Sequence, residues 1–583
     1  MDLGSLKGIC VLCVIFTVAG CGGGQQTIIT VSGVTPQSSA IATNQTLQFS
    51  AVTNDTMGVS WNASSGTIDA QGNYTAPAGP QSVTVTVTAT SKRDATKSAA
   101  AMVNVVAPGQ VAATANLQVA QYTITPVAAG NVSVQFGTDT NYGLTTWTQP
   151  VPMGGGAVSL FVAGMRANTL YHMRGVVAFN DGSQYMDADQ TFTTGAIPAT
   201  FFPTITATTT AGMTPQSGVE LLDLVNAATA DSMVAVTDLG GNVLWAYDVG
   251  IPAIVPQPAK LLPNGHFLIN YALNAPSGAS SVMREVDLTG KVIWQMVAAD
   301  LNKALAAATC AGCNITVIGT HHDIAVLPNG HLIVLASTQQ MVSGTTVTGD
   351  VVIDLDQNHN PVWLWNEFDH LDINRRPYLY PDWTHTNAVL YSPDDGNLII
   401  SIRHQNWLVK IDYANGAGAG DILWHLGYQG DLTLVGGTDP TDWFYAQHGP
   451  SFTTSNTTGK FGLALFDNGD DRVFPSGVTC GTSGEPPCLY STVQLFEIDE
   501  TAKTATFTFH PTAPTYSFFG GNNAVLKNGN VEYCESAGGP GTAGTIYEVT
   551  QGNSSQTVWQ LNVATQYIYR GQRIASLYPG VQW

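Results

Sequence analysis

The chain has 583 residues, 44% of them apolar and 10% charged, with a formal net charge of −21. That length exceeds one ordinary domain, and the apolar share is enough to fill large cores, which excludes a disordered chain. So acidic a surface repels phosphate backbones, which argues against nucleic acid as a partner. Gly (60), Pro (29) and abundant Thr, Ser and Val favour short strands and turns, and no long stretch repeats apolar residues at helical spacing. The expected class is all-β.

The N-terminus reads as an address. Ile9 to Ala19 form an apolar run of 11 residues, followed by Gly20-Cys21-Gly22. A membrane span needs about 20 apolar residues, so the run is expected to be a signal-peptide core. Val18-Ala19-Gly20-Cys21 resembles a bacterial lipobox, which implies cleavage before Cys21 and a lipid anchor on its thiol. The expected location is therefore periplasmic or the outer membrane, with residues 1–20 as signal and 21–26 as linker.

Residues 27–107 are expected to form a first β-sandwich. VTVTVTATS (83–91) alternates as a half-buried strand does, and with Trp61 and GTIDAQGNYTAPAG (66–79) the segment resembles a bacterial Ig-like module. Residues 108–197 resemble a fibronectin type III sandwich, in which Tyr171 takes the tyrosine-corner place and His172 is a surface strand residue. Cys310 and Cys313, spaced C-x-x-C, and the pair Cys480 and Cys488 suit short-loop disulfides of an oxidising compartment, leaving Cys534 over.

From residue 198 to 583 a long repeat takes over. Each unit ends in a strand, a polar turn and a strand carrying an aromatic: Trp245, Trp294, Trp363, Trp424, Phe507 and Trp559, about 63 residues apart on average. Strand–turn–strand segments such as KLLPNGHFLI (260–269) and AVLPNGHLIV (325–334) precede these hairpins. Two hairpins make the four strands of one propeller blade, so a six-bladed β-propeller is expected after the two sandwiches. TQYIYRGQRIASLYP (565–579) is expected to supply the strand that closes the ring.

Aligning the units on their first strands places His322, His385 and His448 at one position, 63 residues apart each time, with Gln257 and Gly521 at the equivalent places elsewhere. First strands line a propeller axis, so three histidines are expected to converge there. By strand alternation His321 faces away from His322, and His404 away from Arg403 on the next strand. His321, His404 and His425 read as packing residues. Arg403 follows an apolar run and requires an anionic partner.

THHDIAVLPNGH (320–331), DWTHTNAVLYSPDDGNLIISIRHQNWLVKID (382–412), ILWHLG (422–427), AQHGP (446–450) and LFDNGDDR (465–472) together resemble bacterial arylsulfate sulfotransferases of the periplasmic, nucleotide-independent type. The resemblance covers residues 215 to 583. It implies a six-bladed propeller that moves a sulfuryl group between phenols through a sulfated histidine. His448 matches the nucleophile, and His322, His385 and Arg403 match the sulfate-binding residues. Gly449-Pro450 departs from the small polar or acidic residue expected after the Gln-His pair. No G-x-x-x-x-G-K-[ST] loop for a nucleotide donor occurs, and no cofactor or metal is expected. The expected partners are small phenolic donors and acceptors. Two other readings stay open: a metal-dependent hydrolase or lyase with the three histidines as ligands, and a non-catalytic surface-binding propeller.

Overall fold

The computed structural model describes residues 27–197, 202–226, 232–248, 254–273, 281–378, 381–455, 459–474, 489–537, 543–552 and 554–583. The signal, Cys21, Cys480 and Cys488 lie outside the described residues. Within them strands dominate the regular structure, with two short α-helices, Ala298–Ala307 and Glu367–His370. No helix among the described residues is long and apolar enough to cross a membrane.

Residues 27–107, with 180–185, form one compact unit. Ser38–Ala42, Ser98–Val106, Val83–Ser91 and Val59–Ala63 make its four-stranded sheet. The alternation in the central strand is real: Val85, Val87 and Ala89 are fully buried, while Thr84, Thr86 and Thr88 are half-buried. Their apolar face packs with Phe49, Tyr74 and Trp61.

The remaining residues form the second unit. Its first part holds a three-stranded sheet of Gln110–Ala113, Ala120–Ile124 and Val158–Val162 and a six-stranded sheet around Gly130–Gly137 and Leu170–Phe179. Tyr171 is buried and its hydroxyl accepts the Arg166 N–H at 3.0 Å. His172 is half-buried and pairs with Asp189 at 2.7 Å. The chain's last residues dock here. The Tyr578 hydroxyl accepts from Ala163 N–H and donates to the Phe161 carbonyl, each at 2.7 Å. The Trp583 indole donates to the Thr145 carbonyl at 3.0 Å. Gly164, at φ +95°, lies so close to that ring that a Cβ would sit 2.2 Å from it.

Six further sheets follow, each built round four antiparallel strands. The first takes Val219–Val225, Ser232–Thr237 and Val243–Asp248, and its fourth strand is Tyr567–Ile574 from the far end of the chain. The second begins at Ile254–Leu261, the third at Val317–Val326, the fourth at Thr386–Ser392, the fifth at His448–Phe452 and the sixth at Asn522–Val525. The sixth gains an outer strand, Ile205–Thr209, paired with Thr557–Val563. Each first strand packs on the next in order, and Tyr567–Ile574 packs on the sixth sheet.

The repeat seen in the sequence has a physical basis. The six repeat aromatics lie on outer strands, and a β-bulge interrupts the pairing of each of these hairpins beside them. Trp245, Trp424 and Trp559 then reach into the following sheet, donating to the Leu288 carbonyl, the Glu500 carboxylate and the Leu239 carbonyl, each at 2.8 Å. The last bond joins the sixth sheet to the first. In the third sheet Trp365 does this instead, donating to the Gly420 carbonyl at 2.8 Å, while Trp363 packs on Tyr413.

Cys310 and Cys313 are joined in a disulfide, and Cys534 is free and buried. At the end of its strand Glu535 is buried, which pushes its carboxyl up to about 7 against bonds from the Thr515 N–H and hydroxyl. A folded-state pKa raised above an unfolded value of about 4.3 means a contribution fully present below that pH and lost as pH rises through 7. Glu535→Gln should therefore gain stability relative to the parent between pH 5 and 8. Urea midpoints that fall in parallel for the two proteins over that range would refute the assignment.

Candidate functional site

The first strands of the second to fifth sheets share one irregularity. Their pairing slips at Pro256/Ala259, Thr320/Ile324, Thr386/Ala388 and His448/Ser451. Such bulges re-aim side chains. Gln257 lies in the first slip, and its side-chain oxygen accepts the His322 N–H at 3.1 Å. His322 and His385 sit at φ +56° and +51°, a left-handed conformation that costs a non-glycine residue roughly 1–2 kcal/mol and is retained mainly at working sites. Gly449, at +51°, follows His448; a Cβ there would lie 2.5 Å from the Gly521 carbonyl, so only glycine fits. Pro450 lacks an N–H but falls inside the slip, where the ladder asks for none.

The three histidines stand in or next to these slips and meet. His322 Nε2 and His385 Nε2 are 3.0 Å apart, and the His322 and His448 ring centres 6.3 Å. His448 is 2% exposed. Its Nδ1 faces two acceptors, Asn468 Oδ1 at 2.7 Å and the Ala446 carbonyl at 3.2 Å. The Asn468 amide group donates to the Ser517 carbonyl at 2.6 Å, which fixes its oxygen toward His448. His448 Nδ1 therefore carries the hydrogen, and Nε2 presents a lone pair. Burial, with Arg403 nearby, pushes the imidazole well below its ordinary pKa, so it stays neutral. His322 is held neutral in the same way, by burial and then by His385.

Arg403 is held from two sides. Its Nη1 donates to His404 Nε2 at 2.6 Å, and its Nη2 to Asp470 Oδ2 at 2.6 Å. Asp470 is the anionic partner the sequence demanded, and it also accepts from the Tyr516 hydroxyl at 2.6 Å. Burial raises its carboxyl to about 6. His404 Nδ1 donates to the Asp382 carbonyl at 2.8 Å, leaving Nε2 to accept from Arg403; burial, His385 and Arg403 hold its pKa down to about 3.

Two expectations are corrected here. Arg403 is not on a strand: the strand ends at Ile402, and Arg403–Gln405 form a 3-10 turn closed by Asn406 at φ +52°. Strand alternation therefore does not apply to His404. Its ring stacks between His385 (4.7 Å) and Tyr378 (4.8 Å) and braces Arg403, so it belongs to the cluster rather than to ordinary packing. His321 bonds to Asp350 at 2.9 Å and His425 to Asp431 at 2.8 Å. Four further residues join the cluster without a signal at the repeat position. Asp382 pairs with His385 Nδ1, and Asn468 orients His448. Tyr569 OH lies 2.7 Å from His322 Nδ1, and half-buried Arg570 pairs with Asp323 at 3.2 Å and donates to the Asn387 carbonyl at 2.8 Å.

Asp382, His385 and His404 offer donor atoms within 4.8 Å of one another, the spacing of a metal-ligand set. Their chemistry does not fit a divalent cation. Both His404 nitrogens are engaged, one of them by the Arg403 guanidinium, whose charge would face the metal. The same guanidinium beside His448 weighs against His322, His385 and His448 as metal ligands.

Neutral imidazoles, one with a free lone pair, and an arginine make a site for nucleophilic attack on a small oxyanion. The fold and site thus define an all-β protein with a cluster of histidines and an arginine carried on successive sheets. A family model described as Arylsulfotransferase (ASST) matches residues 207–570, more than half of the chain, and the protein belongs to that family. Membership makes sulfotransferase activity toward small aryl substrates its class of reaction. A search of the curated proteins gives no match. Among solved structures, a Lactobacillus plantarum protein matches at 8% identity and TM-score 0.33, over 62% of this chain and 100% of its own. A putative 6-phosphogluconolactonase from Bacteroides uniformis matches at 9% and 0.33, over 62% and 100%. A Synechocystis apocarotenoid oxygenase matches at 9% and 0.32, over 64% and 96%. Likenesses this loose carry no reading of function.

Proposed function

We propose that the protein is an exported, nucleotide-independent aryl-sulfate sulfotransferase that works by a ping-pong mechanism through a sulfohistidine at His448. The six sheets are read as the blades of a six-bladed β-propeller, with the histidines at its axis. The two N-terminal modules are read as Ig-like and fibronectin type III-like sandwiches on a lipoprotein anchored at Cys21.

The observation that carries this reading is the lone pair of His448. Asn468 and Ala446 take the hydrogen on Nδ1, so Nε2 is free to attack sulfur. Arg403, His322 and His385 then hold the sulfuryl oxygens as charge shifts onto them. Splitting the transfer in two lets donor and acceptor phenols use one site in turn. As with phosphoryl groups, the protein's task is positioning and charge stabilisation.

The test is incubation of the signal-deleted, chelator-treated protein with p-nitrophenyl sulfate, with and without a second phenol. Nitrophenol release that depends on the acceptor, with a labile sulfuryl mass on the peptide carrying His448, is the expected result. Release without the adduct would replace the covalent route by direct transfer. No release from a panel of aryl sulfates would leave a binding propeller as the better reading.

A further inference from the structure

The reaction needs a proton to reach the departing phenoxide, and one to be taken from the incoming phenol. One chain of polar contacts in the cluster suits this: Asp382 to His385 Nδ1, His385 Nε2 to His322 Nε2 at 3.0 Å, and His322 Nδ1 to Tyr569 OH at 2.7 Å. Asp382 is firmly placed. Its carbonyl accepts from His404, and the Trp383 N–H beside it donates to the Thr348 carbonyl at 2.8 Å. The two ends differ. His385 and Asp382 are half-exposed, whereas Tyr569 is buried.

We propose that the Asp382–His385 pair is the proton store of the transfer, with His385 as general acid and then general base and Asp382 as the residue that positions and charges it. The assignment rests on the sulfohistidine reading above. His385 Nδ1–H donates to the Asp382 carboxylate, and its second hydrogen, on Nε2, points to His322 Nε2. His322 accepts it because its own hydrogen is on Nδ1, directed to the Tyr569 oxygen. Environment agrees with this direction: His385 beside it holds Asp382 down to about 2 against burial, while burial holds His322 neutral.

The balance closes. In the first half, the His448 Nε2 lone pair forms the N–S bond and the S–O(aryl) bond breaks. The aryl oxygen keeps that electron pair and takes the Nε2 proton of His385, leaving as a neutral phenol. In the second half, the acceptor hydroxyl gives its proton to His385 Nε2 and its oxygen bonds to sulfur. The N–S electron pair returns to His448, and no net proton is consumed.

General acid assistance matters most when the leaving phenoxide is basic. Asp382→Asn in the full mature chain is therefore expected to lower kcat on phenyl sulfate by about 100-fold or more, and on p-nitrophenyl sulfate by less than about 10-fold. Asp382→Glu is expected to recover part of the phenyl sulfate rate. An equal loss on both esters, or no loss on either, would overturn the proposal. The His448 adduct separates the two readings. Its formation from p-nitrophenyl sulfate in both parent and Asp382→Asn, with no change in leaving-group dependence, would sink the proton store alone. Its absence in the parent would sink the sulfohistidine.

Discussion

His448→Ala is expected to lower kcat/KM for p-nitrophenyl sulfate by about 10⁴-fold or more and to abolish the sulfuryl adduct. The reason for so large an effect is that the cluster has no second nucleophile in the same state. His404 has both nitrogens engaged, by the Asp382 carbonyl and by Arg403. His322 and His385 spend their Nε2 atoms on each other. Only His448 has a neutral ring whose Nδ1 hydrogen is pinned by two acceptors. The substitution removes a side chain from a buried place beside Asn468 without touching the other three rings, so substrate binding should survive. Free imidazole added to the variant is expected to restore part of the release of nitrophenol and to appear as N-sulfoimidazole in solution. A variant that keeps more than about a tenth of the parent rate would place the nucleophile elsewhere, since loss of a covalent catalyst cannot be so mild.

How the site could be read from sequence follows from how it is built. His322, His385 and His448 are visible at 63-residue spacing because each stands in or next to a slip in the pairing of its sheet's first strand. Arg403 is visible because a charge ends an apolar run, but the turn it begins is not. Ile402 is fully buried and reads as strand up to the arginine, and only Asn406 marks the reversal. His404 is misread for that reason, since period two holds only while the chain stays extended. Asn468 lies just past a strand, where an asparagine ordinarily signals a turn. Tyr569 and Arg570 leave no periodic trace at all, because their strand pairs with Val219–Val225 at the other end of the repeat region. The segment is recognisable as a closing strand, yet its register, and so which side chains meet the histidines, depends on that distant partner.

That same strand gives the second large effect. Arg573 is the next-to-last residue of the eight in Tyr567–Ile574, and its side chain is almost wholly buried. It pairs with Glu220 of the first sheet and, in the sixth sheet, with Glu548 at 3.2 Å and Glu532 at 3.4 Å. Arg573→Met keeps the length of the side chain but leaves three buried carboxylates around a missing cation, at a cost of about 3–5 kcal/mol. The pH dependence fixes the sign. Burial and Glu220 already raise Glu532 well above its ordinary value, despite Arg573. Without the guanidinium the three carboxylates lose their counter-charge, and the folded-state pKa of Glu532 moves further above an unfolded value of about 4.3. The deficit should be small near pH 4 and grow as pH rises to 8, read as the difference in urea midpoint between variant and parent. A deficit under about 1 kcal/mol at pH 8 would mean the three carboxylates are relieved by water rather than by Arg573. The consequence reaches the site, because Tyr569 and Arg570 stand on the strand that Arg573 anchors. Conditions that loosen this seam should therefore release the His322 contact before the other sheets unfold, and activity should be lost at a lower urea concentration than bulk strand structure.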